Sequence, residues 1–463
     1  MTRPSPITPS TRTTEAPATS RRPRTETADD QVTEPSRDDD VDVDTEDEGP
    51  PAARRNLALL RDRTFGPYFF GKLLSTIGVW IHNIAAAILV WELTRSTLLV
   101  GAVSVGQFLP QFFLAPWSGA MADRGDRRKQ LIFGRVVTVI GSGGLAVWIA
   151  VFGVEGISGA VAVITAATIV GIGFALGAPA MNALLPALVR PEELPSAISL
   201  GALPMTIARS AGPALGALLI ATAGPSATFA VAAALGLTFT IIIATIHIRA
   251  VPRPASSDTS VRAGWRYLRA DASMSALMLG VVTIGIGADP VITLTPAVAD
   301  QLGQPSSFIG TLASAFGIGA AIGFLALSRM QVWLGLPRLA VTGLLGLGFG
   351  MAMLAFAPTP LSAILAIGIG GLGMAFALAS LTTLIQQQVP EELRGRVMAL
   401  WGIAFLGSRP IAAGVTGALT DATSVILSLA LVAAILFVGA YLVRPRRIDP
   451  HRQASSRHRA SGG

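Results

Sequence analysis

From about residue 65 to residue 443 the chain is a succession of apolar segments, each near 20 residues long, parted by short polar breaks. A helix rises 1.5 Å per residue, so about 20 apolar residues cover a hydrocarbon core of roughly 30 Å. A water-soluble domain has no room to bury so much continuous apolar chain. Only 14% of the 463 residues are charged, against about a quarter in an ordinary soluble domain. Inside a bilayer each crossing segment must satisfy its own backbone hydrogen bonds, and runs of this length do so as helices. The breaks give about twelve spans, approximately 67–91, 98–120, 131–152, 158–182, 197–221, 225–247, 273–298, 307–328, 338–357, 361–386, 396–419 and 422–443. The alternative is that some of the shorter segments are buried or re-entrant helices.

The placement of charge sets the topology. Arg54, Arg55, Arg61 and Arg63 precede the first span, and Arg124, Arg127, Arg128 and Lys129 follow the second. Arg190 follows the fourth, and Arg249, Arg253, Arg262, Arg266 and Arg269 lie between the sixth and seventh. Arg329 and Arg338 flank the break after the eighth, Arg394 and Arg396 follow the tenth, and Arg444, Arg446 and Arg447 the last. The alternate connections hold little beyond Arg95, Glu155, Asp300 and Asp421. Basic residues stay on the cytoplasmic side of short loops. A multi-pass protein of the cytoplasmic membrane is expected, with both termini cytoplasmic. The formal charge of +7 is then a topological signal and not a nucleic-acid footprint.

Residues 1–64 are a different material, rich in Thr, Ser, Pro and Arg and then strongly acidic from Glu26 to Glu48. Like charges in a row with few apolar residues do not offset the chain entropy of folding, so a disordered tail is expected. It has no apolar core segment, which argues against a secretory signal peptide. Residues 444–463 read as a second disordered tail, basic and Ser-rich. Cysteine is absent and histidine occurs four times, twice in that tail, so no disulfide, thiolate site or metal cluster is expected. No Gly-Lys-Ser/Thr phosphate loop or catalytic triad is present. Neither enzymatic activity nor a cofactor is expected, and energy from ATP is disfavoured.

The chain also repeats itself weakly. Leu188-Val189-Arg190-Pro191-Glu192-Glu193-Leu194 follows the fourth span, and Gln388-Val389-Pro390-Glu391-Glu392-Leu393-Arg394 follows the tenth. Each leads into a Gly-rich apolar helix with one internal arginine, Arg209 or Arg409. An offset of roughly 200 residues in both features points to two related halves of six spans. The expected fold is all-α and integral to the membrane: an N-terminal six-helix bundle over 65–248, a basic cytoplasmic linker over 249–272 and a pseudo-symmetric second bundle over 273–443.

These features resemble the major facilitator superfamily of transporters. The loop after the second span reads Gly119-Ala-Met-Ala-Asp123-Arg124-Gly125-Asp126-Arg127-Arg128-Lys129. It resembles the family's Gly-x-Leu-Ala-Asp-Arg-x-Gly-Arg-Arg/Lys, with Asp126 where most members have Gly. Gly212, Pro213 and Gly216 in the fifth span resemble the Gly-Pro-x-x-Gly core of the antiporter motif. With the stretch Leu185 to Ala221, the chain looks closest to the enterobactin-exporter and macrolide-efflux branch. Two departures stand out. Val79 follows Ser75-Thr-Ile-Gly78 where the branch often has an acid, and the fourth span lacks the arginine of the usual proton-linked motif.

The resemblance implies a gate, with Gly119, Asp123, Arg124, Arg127 and Arg128 as its residues. A carboxylate at Asp123 would meet the first amides of the eleventh span, near Gly395 and Arg396, where the helix dipole is positive. Arg127 and Arg128 would pair with acids such as Glu192 or Glu391 when the protein opens outward. The plainer alternative is that the arginines are topological anchors. Charge at membrane depth is costly and functional by default. Arg209 and Arg409 reach mid-depth, and repeat symmetry sets them on opposite walls of one cavity. Asp289, followed by Pro290, is the acid well inside a span. It is either a proton carrier or a structural partner of an arginine. His82 and Asn83 either line the cavity or serve packing. Gln107 and Gln111, spaced to share a helix face, line the pathway or bind helices together.

The leading expectation is proton-driven export of small amphipathic organic molecules such as a drug, a macrolide-like compound or a siderophore. The expected partners are that cargo, protons and the lipid bilayer, with the protein a monomer and no nucleic acid bound. An uptake symporter, or a non-transporting receptor or scaffold, is the alternative.

Overall fold

The computed structural model describes residues 58–246 and 261–448. The acidic stretch, most of the basic linker and the last residues of the C-terminal tail lie outside them. So do the side chains of Pro116, Asp123, residues 261–264, Glu391 and Glu392. Every regular element among the described residues is helical: α1 (Phe65–Thr94), α2 (Thr97–Arg124), α3 (Arg127–Phe152), α4 (Gly156–Leu184), α5 (Leu194–Thr245), α6 (Val261–Ala270), α7 (Ala272–Ala288), α8 (Pro290–Thr293), α9 (Thr295–Gln301), α10 (Ser307–Leu334), α11 (Leu336–Ala355), α12 (Pro360–Gln388), α13 (Glu391–Ala422), α14 (Val425–Leu442) and α15 (Pro445–Ile448).

Local chemistry sets the ends. α2 starts at Ser96, whose hydroxyl accepts the Leu99 amide at 3.3 Å. α3 starts at Asp126, whose carboxylate takes the amides of Arg128 and Lys129 at 2.9 and 3.2 Å. Asp in place of the family's usual Gly is therefore a helix N-cap here.

Among the described residues eleven stretches have the length and apolarity to cross a bilayer, and one of them, Pro191–Thr245, is 55 residues long. That is far more than a single crossing needs. Within it Gly224 has φ +80°, outside helical geometry, and Pro225 has no N–H to continue the ladder. The chain turns there, so α5 supplies two crossings and the total among the described residues is twelve. The seventh crossing departs from a plain helix in the other direction. It is built from α7, α8 and α9, with breaks at Asp289 before Pro290 and at Leu294 before Thr295-Pro296.

Helices α1 to α5 pack on one another, led by α1 against α5 and α3 against α4. From α7 onward the same holds, led by α11 against α12 and α10 against α12. The corresponding pairs use the same device. A Cβ on Gly134 of α3 would lie 2.7 Å from the Gly173 carbonyl of α4, and one on Gly343 of α11 would lie 2.8 Å from the Gly373 carbonyl of α12. In lipid, helix association depends on such close backbone approach. Gly134→Leu is expected to cost about 1–3 kcal/mol through forced separation, visible as a lower thermal midpoint in detergent. An unchanged midpoint would show that the crossing tolerates separation.

The halves meet along two seams, α2 against α13 and the first limb of α5 against α10. In crossing order these are two–eleven and five–eight, a pair that the repeat interchanges. Below the second half, α6 docks through Tyr267, whose hydroxyl donates to the Gln388 carbonyl at 3.0 Å. Burial and the Asp271 carboxylate push that hydroxyl above its ordinary pKa, so it stays a donor.

Candidate functional site

The seams bring the buried charges together. Arg209 on α5 and Arg409 on α13 line one closed space of about 10 Å³, with Trp80, Phe316, Met374 and Phe405 among its walls. Arg409 stacks over the Phe108 ring at 4.1 Å. Arg209 lies over Trp80 at 5.7 Å and points one nitrogen at the Met374 sulfur, 3.9 Å away. The Nε atoms of both are buried without a hydrogen-bond partner among the described residues. Asp289 lies at the α7–α8 break, wholly buried. Its Oδ2 accepts the Thr293 hydroxyl at 2.7 Å, while Oδ1 has no partner among the described residues. Arg409 and Ser104 are the other polar groups that act on the carboxylate. Two cations and one acid thus share a tight, largely apolar centre between the halves.

The other polar candidates separate. Gln111 lines a cavity of about 400 Å³ between α2, α4 and α13, with Phe112, Asn182, Met398, Gly402 and Ile403. Gln107, one turn deeper, is buried where its backbone meets Gly171 of α4. His82 turns away from the arginines. Its Nδ1 is 3.0 Å from the Ser142 hydroxyl of α3, and its ring meets Phe229 edge-on at 5.1 Å. Asn83 is buried beside it, its side-chain oxygen unpaired. Gly212 and Gly216 of the antiporter-like motif seat α5 against Trp80 and Ile81 of α1, and the Pro213 carbonyl faces Gly310 of α10. The motif is a surface on which helices of both halves close.

The two ends of the α2–α13 seam differ. At the end that carries Ser96 and Asp421, the helices touch: a Cβ on Gly101 would lie 2.6 Å from the Ala413 carbonyl, and one on Gly417 would lie 2.8 Å from the Thr97 carbonyl. Arg95 and Asp300 form an ion pair across the halves at 2.8 Å. At the other end a Cβ on Gly119, Gly395 or Gly402 would meet nothing within 4 Å. The cavity of about 400 Å³ lies on that side.

The Asp123 side chain lies outside the described residues. Arg124 is exposed. Arg127 donates to the Ala122 and Ala183 carbonyls, each at 3.2 Å. Arg128 donates to the Ile243 carbonyl at 2.9 Å and to that of Ala244. In this conformation both arginines bind the carbonyl ends of α4 and α5, where the helix dipole is negative, and neither bonds an acid among the described residues.

Sequence reasoning passed over two further cations within the helices, one buried and one half-buried. Arg135 of α3 donates to the Ser75 hydroxyl at 3.1 Å and lies between the Phe174 and Phe239 rings. Lys72 of α1 donates to the Gly201 carbonyl of α5 at 2.8 Å. The available signal was a charge inside a span, but each stands near a span's end and reads as a flanking anchor. Among the described residues no group of three or more His, Cys, Asp or Glu side chains is placed to hold a metal.

A family model described as "Transmembrane secretion effector" matches residues 54–461. The enterobactin exporter of Escherichia coli O1:K1 / APEC is 28% identical over 375 residues, covering 79% of this chain and 87% of that protein. The enterobactin exporter of Shigella boydii serotype 4 (strain Sb227) gives the same figures. Among solved structures, the nucleoside transporter NupG superposes with a TM-score of 0.68 at 13% identity, over 82% of this chain and 99% of that one. A bacterial homologue of the human lysosomal transporter Spinster, solved inward-facing and unoccupied, gives 0.65 at 15% identity, over 85% and 96%.

Proposed function

Because this chain belongs to the transmembrane secretion effector family and has the major facilitator fold, we propose that it exports a small amphipathic molecule with an anionic or carbonyl-rich head, by alternating access coupled to protons. It is a multi-pass membrane transporter. The observation that carries the finer reading is the set of Arg209, Arg409 and Asp289 at the seams between the halves, inside an apolar shell. Apolar walls with a few convergent polar groups suit amphipathic cargo. Two guanidinium groups against one carboxylate leave a positive surplus for an anionic head. A siderophore fits that chemistry, and the 28% identity to enterobactin exporters supports it. Asp289 is the proton carrier in this reading, since it alone among these three groups changes charge readily.

The alternation of arginine-rich loops supports a cytoplasmic position for both termini. The open end of the α2–α13 seam, with Arg124 to Arg128, then faces the cytoplasm, and the conformation is inward-facing. The segments 65–248 and 273–443 rock against each other along the seams, the centre exchanging access between the two sides.

The test is a substrate panel in proteoliposomes with an imposed pH gradient. A siderophore is expected to move against its own gradient and to carry protons the opposite way. Movement in the same direction as protons would replace export with uptake, and no movement of any compound would remove the transport mechanism proposed here.

A further inference from the structure

Helices α2 and α13 run antiparallel: Thr97 and Leu98 meet Gly417, Gly101 meets Ala413, and Phe112 meets Gly407. Each has an aspartate as its penultimate residue, Asp123 in α2 and Asp421 in α13. Each aspartate therefore stands in the chain at the end where the other helix begins, so that the two can meet. At the closed end that meeting is made. Asp421 accepts the Thr97 amide at 2.7 Å, the Leu98 amide at 3.0 Å and the Ser96 hydroxyl at 2.6 Å. The carboxylate of one half caps the helix of the other, where unsatisfied amides and the positive end of the dipole coincide.

We infer that Asp421 is a gating residue, the counterpart of Asp123 at the opposite end, and that the two caps are made and broken in alternation. Three features carry this. The contact joins the halves, so it cannot persist once that end opens. It is releasable, because α2 keeps its own cap in Ser96 and Asp421 itself is exposed to water. It also outweighs its neighbour. The Arg95–Asp300 pair has side chains 63% and 57% exposed, and exposed pairs contribute little, whereas charge-assisted bonds to backbone amides are among the strong ones. At the other end α13 starts at Pro390 with no side-chain cap bond, and Gly119 and Gly395 face open space.

The inference rests on the alternating-access reading, and its test reads conformation and not cargo. The chain has no cysteine, so label pairs can be introduced directly into the full-length protein. Glu155→Cys with Gln301→Cys spans the closed end, and Glu192→Cys with Arg394→Cys spans the open one. Spin-label distances are then measured in lipid nanodiscs. Asp421→Asn is expected to lengthen the first distance and shorten the second, shifting the ratio of the two states by about tenfold or more. Asp123→Asn is expected to shift it the opposite way, the double variant to return towards the starting ratio, and Asp421→Glu to retain it. A static cap would lower the thermal midpoint of Asp421→Asn and leave both distances unchanged, which overturns the inference. So would movement of both variants in the same direction. A failure to find any cargo would leave these distances as they are.

Discussion

Asp289→Asn is expected to insert and fold normally, to catalyse exchange of cargo across vesicles, and to lose transport driven by a pH gradient by on the order of 100-fold or more. The amide preserves the shape of the group and can still accept the Thr293 hydroxyl bond. What it removes is the capacity to take up and release a proton between α7 and α8. Exchange needs no net proton movement, so it separates loss of coupling from loss of binding. The competing account makes Asp289 a structural counter-charge for Arg409. Deleting one partner of a buried pair typically costs about 3–5 kcal/mol. On that account the variant would lose folded yield and thermal stability, while whatever protein survives would remain coupled. Midpoint and coupling measured on the same preparation distinguish the two.

The twelve crossings were legible because the bilayer imposes them directly. Span length follows from hydrocarbon thickness, and loop charge follows from insertion. The Asp289–Pro290 break was legible for the same kind of reason, since a proline inside a span removes a backbone donor wherever the span packs. The turn inside α5 was legible too: the spans 197–221 and 225–247 part where Gly224 leaves helical geometry and Pro225 has no N–H to continue the ladder. Side-chain direction was the main blind spot. His82 and Trp80 are two residues apart on α1, yet Trp80 lines the arginine space and His82 bonds Ser142 on another helix. Asp421 looked like a stray charge in a quiet loop. Its meaning lies in three bonds to residues on the far side of the repeat, and no periodicity within one helix reveals them. Arg127 and Arg128 announced themselves as a motif, but their partners are helix-end carbonyls, which carry no sequence signature.

The two arginines are expected to respond differently to the same substitution. Among the described residues Arg209 has no carboxylate partner; it rests on Trp80 and Met374, and the charge of Arg409 repels it. Arg409 is balanced by Asp289. Under the proposed function Arg209 is therefore the cation whose charge remains for cargo. A hydrogen bond to a charged group is worth about 1.5–3 kcal/mol, and tenfold in affinity corresponds to about 1.4 kcal/mol. Arg209→Gln is accordingly expected to weaken binding of an anionic siderophore by roughly 10- to 100-fold, to leave a neutral macrolide unaffected, and to preserve pH-driven coupling for that neutral compound. Arg209→Lys is expected to restore little, because a flexible ammonium offers neither the planar face that lies on Trp80 nor the fork that grips two oxygens. Arg409→Gln instead removes the cation that acts on the Asp289 carboxylate, so coupling is expected to fall whatever the cargo. Equal losses for anionic and neutral compounds in Arg209→Gln would show that this arginine holds the halves together and does not select what passes between them.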